Sequence, residues 1–171
     1  FCLSRGLGDV YKRQNLDGYK DAAIVVIGRS GGEGADLYTG KFTDGTSYFE
    51  LQDSERELLK YVASQGFSKT IVLINSSNAM AMDWVNNPEY GVDACLWIGG
   101  PGQYGLNAVA QILVGDVNPS GRLVDTYARD LTDYPFTGSF HESADYVKYY
   151  EDIYVGYRYF ETLPAARDKV N

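Results

Sequence analysis

Short β-branched apolar runs alternate along this chain with stretches of helical period. Residues 22–28, AAIVVIG, form a continuous apolar run that ends in glycine, the pattern of a parallel strand buried on both faces. Residues 70–75, TIVLIN, and 93–98, DACLWI, repeat it. Between the first two runs, Leu58, Leu59, Val62 and Ala63 mark one face of a helix starting at Asp53 or Ser54. Ser54 and Glu57 have capping-box spacing, and Gly66 supplies a stop. A short helix is expected over 79–85. A longer one is expected over 104–114, with Leu106, Val109, Ala110 and Leu113 inward and Gly115 and Pro119 closing it. Strand and helix in alternation predict an α/β domain on a mostly parallel sheet. Beyond Pro119 the pattern loosens. Residues 122–127 predict an edge strand, 129–148 a polar loop, and 153–160, IYVGYRYF, a strand or a packed arm.

At 171 residues and 44% apolar composition the chain can bury a core. Its net charge of −8 argues against nucleic acid or an anionic membrane surface as partner. No apolar run approaches the length of a membrane span. Residues 1–14, FCLSRGLGDVYKRQ, lack an initiator Met and any period, and are similar to a translated sequencing-adapter tail. Setting them aside makes the balance more acidic and leaves Cys95 without a second cysteine, so no internal disulfide or cysteine metal site is expected. Cys95 then reads as a small buried hydrophobe. His141, the one histidine, lies in a polar stretch and is read as solvated. The 15 tyrosines suit either a carbohydrate cleft or ordinary strands, so their number alone does not choose a function.

Ligands of open α/β sheets bind beyond the carboxyl ends of the strands. The first run delivers RSGGEGAD, residues 29–36, to that edge. A dinucleotide fingerprint fails there. Counting from Gly28, Ser30 and Glu33 occupy the second and third glycine positions, and no helix follows promptly. A phosphate-binding P-loop fails too, because Phe42 follows Gly40-Lys41 where a hydroxyl residue is needed. Two readings of Glu33 stay open on local chemistry. It is a solvated loop carboxylate, or it is the general acid of glycoside hydrolysis, approaching a bulky sugar because Gly32 and Gly34 present no side chain. Residues 37–49 read as a long excursion rather than a helix.

Three longer segments narrow the choice. IVVIGRSGGEGADL resembles the G-R-x-S/G-G-E-G-x-D motif of glycoside hydrolase family 3. VDACLWIGGPGQYGLNAVAQILVGDVNPSGRL is similar to that family's P-G-Q-x-G…G-D-x-N-P-S-G-R-L signature. YYEDIYVGYRYFET is similar to its Y-x-E-x-I-Y-V-G-Y-R-Y-F/Y segment. They follow in the family's order from Asp21 to Thr162, and Val124 departs from the family's usual Pro. The resemblance implies a three-layer α/β sandwich over residues 15–163, with a truncated segment over 164–171. It implies a retaining, exo-acting β-glycosidase that needs a TIM-like barrel domain, not present in this sequence, for its aspartate nucleophile. Glu33 would be the general acid/base. Arg29, Ser30 and Asp36 would bind substrate. Arg29 and Asp36 would alternatively orient Glu33, or form a plain loop-closing ion pair. Asp116, Asn118, Ser120 and Arg122 would fix the turn after the second long helix. Glu151 and Tyr154 would face the barrel. The implied substrate is a β-linked oligosaccharide or an aryl or alkyl β-glycoside, with β-glucosides the leading class. No metal or organic cofactor is implied, and the compartment is left unassigned, a cytoplasmic bacterial one being a guess. The fragment alone is expected to be inactive. The competing reading is a catalytically silent carbohydrate-binding or scaffolding homologue.

Overall fold

The computed structural model of the chain describes residues 2, 3, 16, 18–29, 38, 40, 41, 43, 45–137, 139 and 143–162. Its centre is a parallel sheet in sequential order: β1 (Cys2–Leu3), β2 (Ala23–Gly28), β3 (Thr70–Asn75) and β4 (Ala94–Trp97). Helix α1 (Asp53–Ser64) links β2 to β3, helix α2 (Gly102–Leu113) follows β4, and a short helix α3 (Tyr157–Thr162) comes last. The fold is an α/β sandwich, as the alternation of runs predicts. β1 adds two rungs, Cys2 opposite Ile24 and Leu3 opposite Val25, and comes from the segment read above as a tail.

Register explains the core. Val25 pairs with Val72 and Val72 with Cys95, while Ile27 pairs with Ile74 and Ile74 with Trp97. Alternate residues of a strand share a face, so these rows form one apolar surface. Leu59 and Val62 of α1, together with Met80 and Trp84, close over it. On the other face Leu73 is buried, Ile24, Val26, Ile71 and Leu96 are only half-buried, and Ala94 is exposed. Cys95 packs against the core, and burial pushes its thiol up to about 11.

Several elements differ from the sequence expectation. The carboxylate that reaches back to cap α1 is Glu55, accepting from the Gln52 backbone N–H at 2.9 Å, and not Glu57. The expected helix over 79–85 is a 3-10 turn over Asp83–Asn86, because Met80 and Ala81 are drawn into the core. Ala81 N–H also bonds to Phe49 C=O at 2.7 Å, outside any helical ladder. In α2 the inward face is Gly105, Val109, Ile112 and Leu113, while Ala110 is exposed and Leu106 is 54% exposed. Residues 122–127 form no strand. Tyr127 meets β4 through its ring, 5.0 Å from that of Trp97, instead of through a backbone ladder. The alternating run 153–160 turns and then coils into α3, because burial of Phe160 against Ala128 and Tyr134 outweighs its strand-like composition. The turn after α2 rests on Gly115 at φ +84° and on main-chain bonds from Asp116 and Val117 to Gln111 C=O. The side chains of Asp116, Asn118, Ser120 and Arg122 are exposed. Among the described residues no helix is long and apolar enough to cross a membrane.

Asp93 ties the starts of β3 and β4 together. Its carboxylate accepts from the Thr70 N–H at 2.7 Å and from Lys69 Nζ at 3.1 Å, while its own N–H bonds to Thr70 C=O at 2.9 Å. The Thr70 N–H, and then Lys69, hold its pKa below the usual carboxylate value of 3.8. A depressed carboxylate stabilises the fold above the unfolded value, and that contribution is lost as pH falls through the folded one. Asp93→Asn should therefore lower the urea midpoint at pH 7 and shrink its fall between pH 7 and pH 3. An equal fall in both proteins would show that Asp93 contributes nothing to acid sensitivity.

Candidate functional site at the carboxyl edge of the sheet

The glycine-rich segment leaves the sheet where β2 ends, and Arg29 is the first residue past the strand. Its N–H still pairs with Asn75 C=O at 3.1 Å, extending the β2–β3 ladder by one bond. The Arg29 side chain turns inward, with 2% exposure, against Glu55 at 4%. An arginine carries five N–H donors, and all five are used here. Nε donates to Tyr48 C=O (3.1 Å). Nη1 donates to Gly28 C=O (2.9 Å) and Glu55 Oε1 (2.5 Å). Nη2 donates to Glu50 C=O (2.9 Å) and Glu55 Oε2 (2.7 Å). The guanidinium thus grips both the start and the return of the 30–46 excursion. Lys41 Nζ and Glu50 Oε1, exposed and 2.5 Å apart, add a second contact across the return.

Of the three residues expected to bind substrate, only Arg29 is described; Ser30 and Asp36 lie outside the described residues, as do Glu33 and His141. With every donor bound inside the chain, Arg29 has none to offer a sugar. Its side chain forms the loop-closing ion pair, and the partner is Glu55 on α1. Sequence spacing gives no sign of that partner 26 residues away, although a Glu within the first turn of a helix is the type that an arginine fork fits.

A cavity of about 750 Å³ opens beside this clamp, beyond the carboxyl ends of the strands. Three separate segments meet there. The chain returning toward α1 supplies Tyr48, the stretch just past the second signature supplies Asp125 and Thr126, and the third motif supplies Glu151 and Arg158. Asn78 enters from the turn after β3, where Ser76 Oγ accepts from the Asn78 N–H at 3.0 Å. Glu151, expected at an interface, lines this cavity, and Tyr154 is exposed. Sequence reasoning missed Tyr48, Asn78, Asp125 and Arg158. Asn78 alone had a usable signal, its place just past a strand's carboxyl end.

Aromatic packing fixes the cavity floor. Tyr134 lies edge-on to Phe49 (6.2 Å) and Phe160 (5.9 Å) and stacks on Phe136 (5.5 Å). Its hydroxyl donates to Thr126 C=O (2.8 Å) and accepts from Ala128 N–H (3.1 Å). Burial raises its pKa. The neighbouring Tyr127 is pushed up to about 12, by burial first and then by the Asp125 carboxylate. Both phenols therefore keep their protons at neutral pH, and Tyr134 remains a donor.

Two substitutions test this scaffold. Tyr134→Phe keeps the ring packing but strands Thr126 C=O and Ala128 N–H, and should cost about 1–2 kcal/mol in urea unfolding. An unchanged midpoint would mean that water replaces the hydroxyl. Arg29→Met leaves the buried Glu55 carboxylate without its guanidinium and should cost about 3–5 kcal/mol. Arg29→Met/Glu55→Met together should recover much of that loss. Simple additivity of the two single effects would argue against an energetically coupled pair.

Residues 13–157 match the model of the glycosyl hydrolase family 3 C-terminal domain. β-Glucosidase A of Butyrivibrio fibrisolvens is 40% identical over 170 residues, covering 90% of this chain and 20% of its own. A β-glucosidase of Schizophyllum commune is 35% identical over 156 residues, covering 90% of this chain and 79% of its own. The solved β-glucosidase of Paenibacillus barengoltzii superposes with a TM-score of 0.74 at 40% identity, over 88% of this chain and 16% of that one. The chain thus spans about a fifth of the length of the Butyrivibrio relative. A family match across most of the chain, on an α/β sandwich shared with a solved relative, means that this chain belongs to glycoside hydrolase family 3 and carries its C-terminal domain.

Proposed function

We propose that this chain is the acid/base half of a retaining, exo-acting β-glycosidase, with Glu33 as general acid and base and β-glucosides as its leading substrate class. The observation that carries the reading is a cavity at the strand ends, lined by Glu151 and Arg158 of the third family segment and by Tyr48, whose carbonyl is held by Arg29 four residues before Glu33. The names of the relatives, β-glucosidases throughout those described above, support the substrate class.

Retaining hydrolysis needs two carboxyl groups. In this reading Glu33 protonates the departing glycosidic oxygen while a barrel aspartate attacks the anomeric carbon. Glu33 then removes a proton from the water that releases the sugar from that aspartate. Arg29 holds the loop, since its donors are occupied. The barrel would cover the apolar surface next to the cavity, where Val124 is 93% exposed, Tyr149 is 87% exposed, and Ile153, Val155 and Tyr157 are also exposed. Apolar exposure of this extent within two short segments supports a protein interface. Without the nucleophile the isolated chain should not turn over.

Leaving-group dependence tests the assignment in a polypeptide that joins this domain to its barrel. Glu33→Gln should lower kcat/KM on the order of 100-fold or more for alkyl and other poorly activated β-glucosides, and less than about tenfold for the dinitrophenyl glucoside, which leaves without protonation. Azide should restore turnover of the activated substrate by Glu33→Ala and yield the β-glycosyl azide. Equal losses on both substrates, with no azide product, would point instead to a silent carbohydrate-binding homologue.

A further inference from the structure

We propose that the buried Arg29–Glu55 pair is the positioning element of the acid/base loop, acting through Glu33 without touching substrate. This rests on the assignment of Glu33 proposed above.

The geometry has three parts. First, the five donors of Arg29 address four separate residues: the end of β2, two carbonyls of the returning chain, and the first turn of α1. A planar fork meets that many fixed acceptors in one arrangement only, so it sets the spacing between departure and return. Second, Glu55 is itself fixed. Its Oε2 accepts from the Gln52 N–H at 2.9 Å as well as from Arg29, so α1 and the loop base move as one body. Third, the lever is short. Glu33 follows Arg29 by four residues, a reach of at most roughly 14 Å. Displacement of the base therefore shifts the region that the carboxylate can reach.

Stability alone does not account for the pair. A buried ion pair is often no more stabilising than an apolar pair of equal volume, whereas it specifies geometry more narrowly. Loss of an ångström in the placement of an acid costs on the order of 100-fold in rate. Glu55 and Arg29 are both too buried to meet a sugar, so any catalytic effect of changing them must be transmitted.

The experiment is a double-mutant cycle in a polypeptide that joins this domain to its barrel, made with Glu55→Gln, Glu33→Gln and both together. kcat/KM is read on an alkyl β-glucoside and on the dinitrophenyl glucoside, with folding checked by thermal melting. Glu55→Gln should lower kcat/KM for the alkyl glucoside roughly 10- to 100-fold and change that for the activated substrate less than about threefold. In the Glu33→Gln background, the same substitution should have no further effect beyond about twofold. Equal losses on both substrates, or multiplication of the two single effects, would overturn the positioning role while leaving Glu33 as the acid. No leaving-group selectivity in Glu33→Gln itself would overturn both. If Glu55→Gln does not fold, Glu55→Asp keeps the charge but shortens the reach, and the same pattern is required of it. Trypsin supplies an independent readout, because Lys41 is the one basic residue in the 30–46 excursion. Cleavage there should accelerate in the Glu55 variants, and an unchanged rate would count against a loosened base.

Discussion

A single guanidinium joins the end of β2, the return of a long excursion and the first turn of α1. Arg29 and Glu55 are both nearly inaccessible and meet through two parallel contacts of 2.5 and 2.7 Å. Each has a reason to be buried that the other supplies, since an isolated charge at either position would be driven to solvent or neutralised. Because the excursion begins and ends at this pair, the loop base, the helix start and the edge of the sheet form one rigid unit. The backbone bond from Arg29 to Asn75 carries that unit into the central strands.

From there the order propagates by aromatic contact. Phe49, one residue past the Tyr48 carbonyl that Arg29 holds, packs against Tyr134. Tyr134 in turn fixes Thr126 and Ala128 through its hydroxyl and meets Phe160 of α3 through its ring. The late segments, which have little regular structure of their own, are thereby gathered against the strand ends. That gathering builds the cavity. It also leaves Val124, Tyr149, Ile153 and Val155 exposed.

The two faces of the sheet divide stability from assembly. The face carrying Val25, Ile27, Val72 and Ile74 is sealed by α1 and Trp84 and contains the described core of the domain. The opposite face is half-buried apart from Leu73, and α2 contributes one buried residue, Val109. The cavity at the strand ends borders the well-packed half. Rigid placement of catalytic groups depends on supporting residues that are themselves locked.

The sequence by itself determined the order and direction of the elements. Three short apolar runs read as parallel strands, and the Leu59–Val62 spacing as the inner face of α1. Local pattern suffices there because burial on a sheet or helix face imposes a period of its own. Tertiary structure decided whatever depended on partners distant in sequence. It gave Arg29 to Glu55, 26 residues away, and made Glu55 rather than Glu57 the cap of α1. It coiled residues 157–162 where alternation suggested a strand, and it assembled Tyr48, Asn78, Asp125 and Arg158 around one cavity. A side chain's period is written in its neighbours along the chain. The partner of a buried charge is set by which segments the folded sheet brings within hydrogen-bonding distance, and no local pattern encodes that.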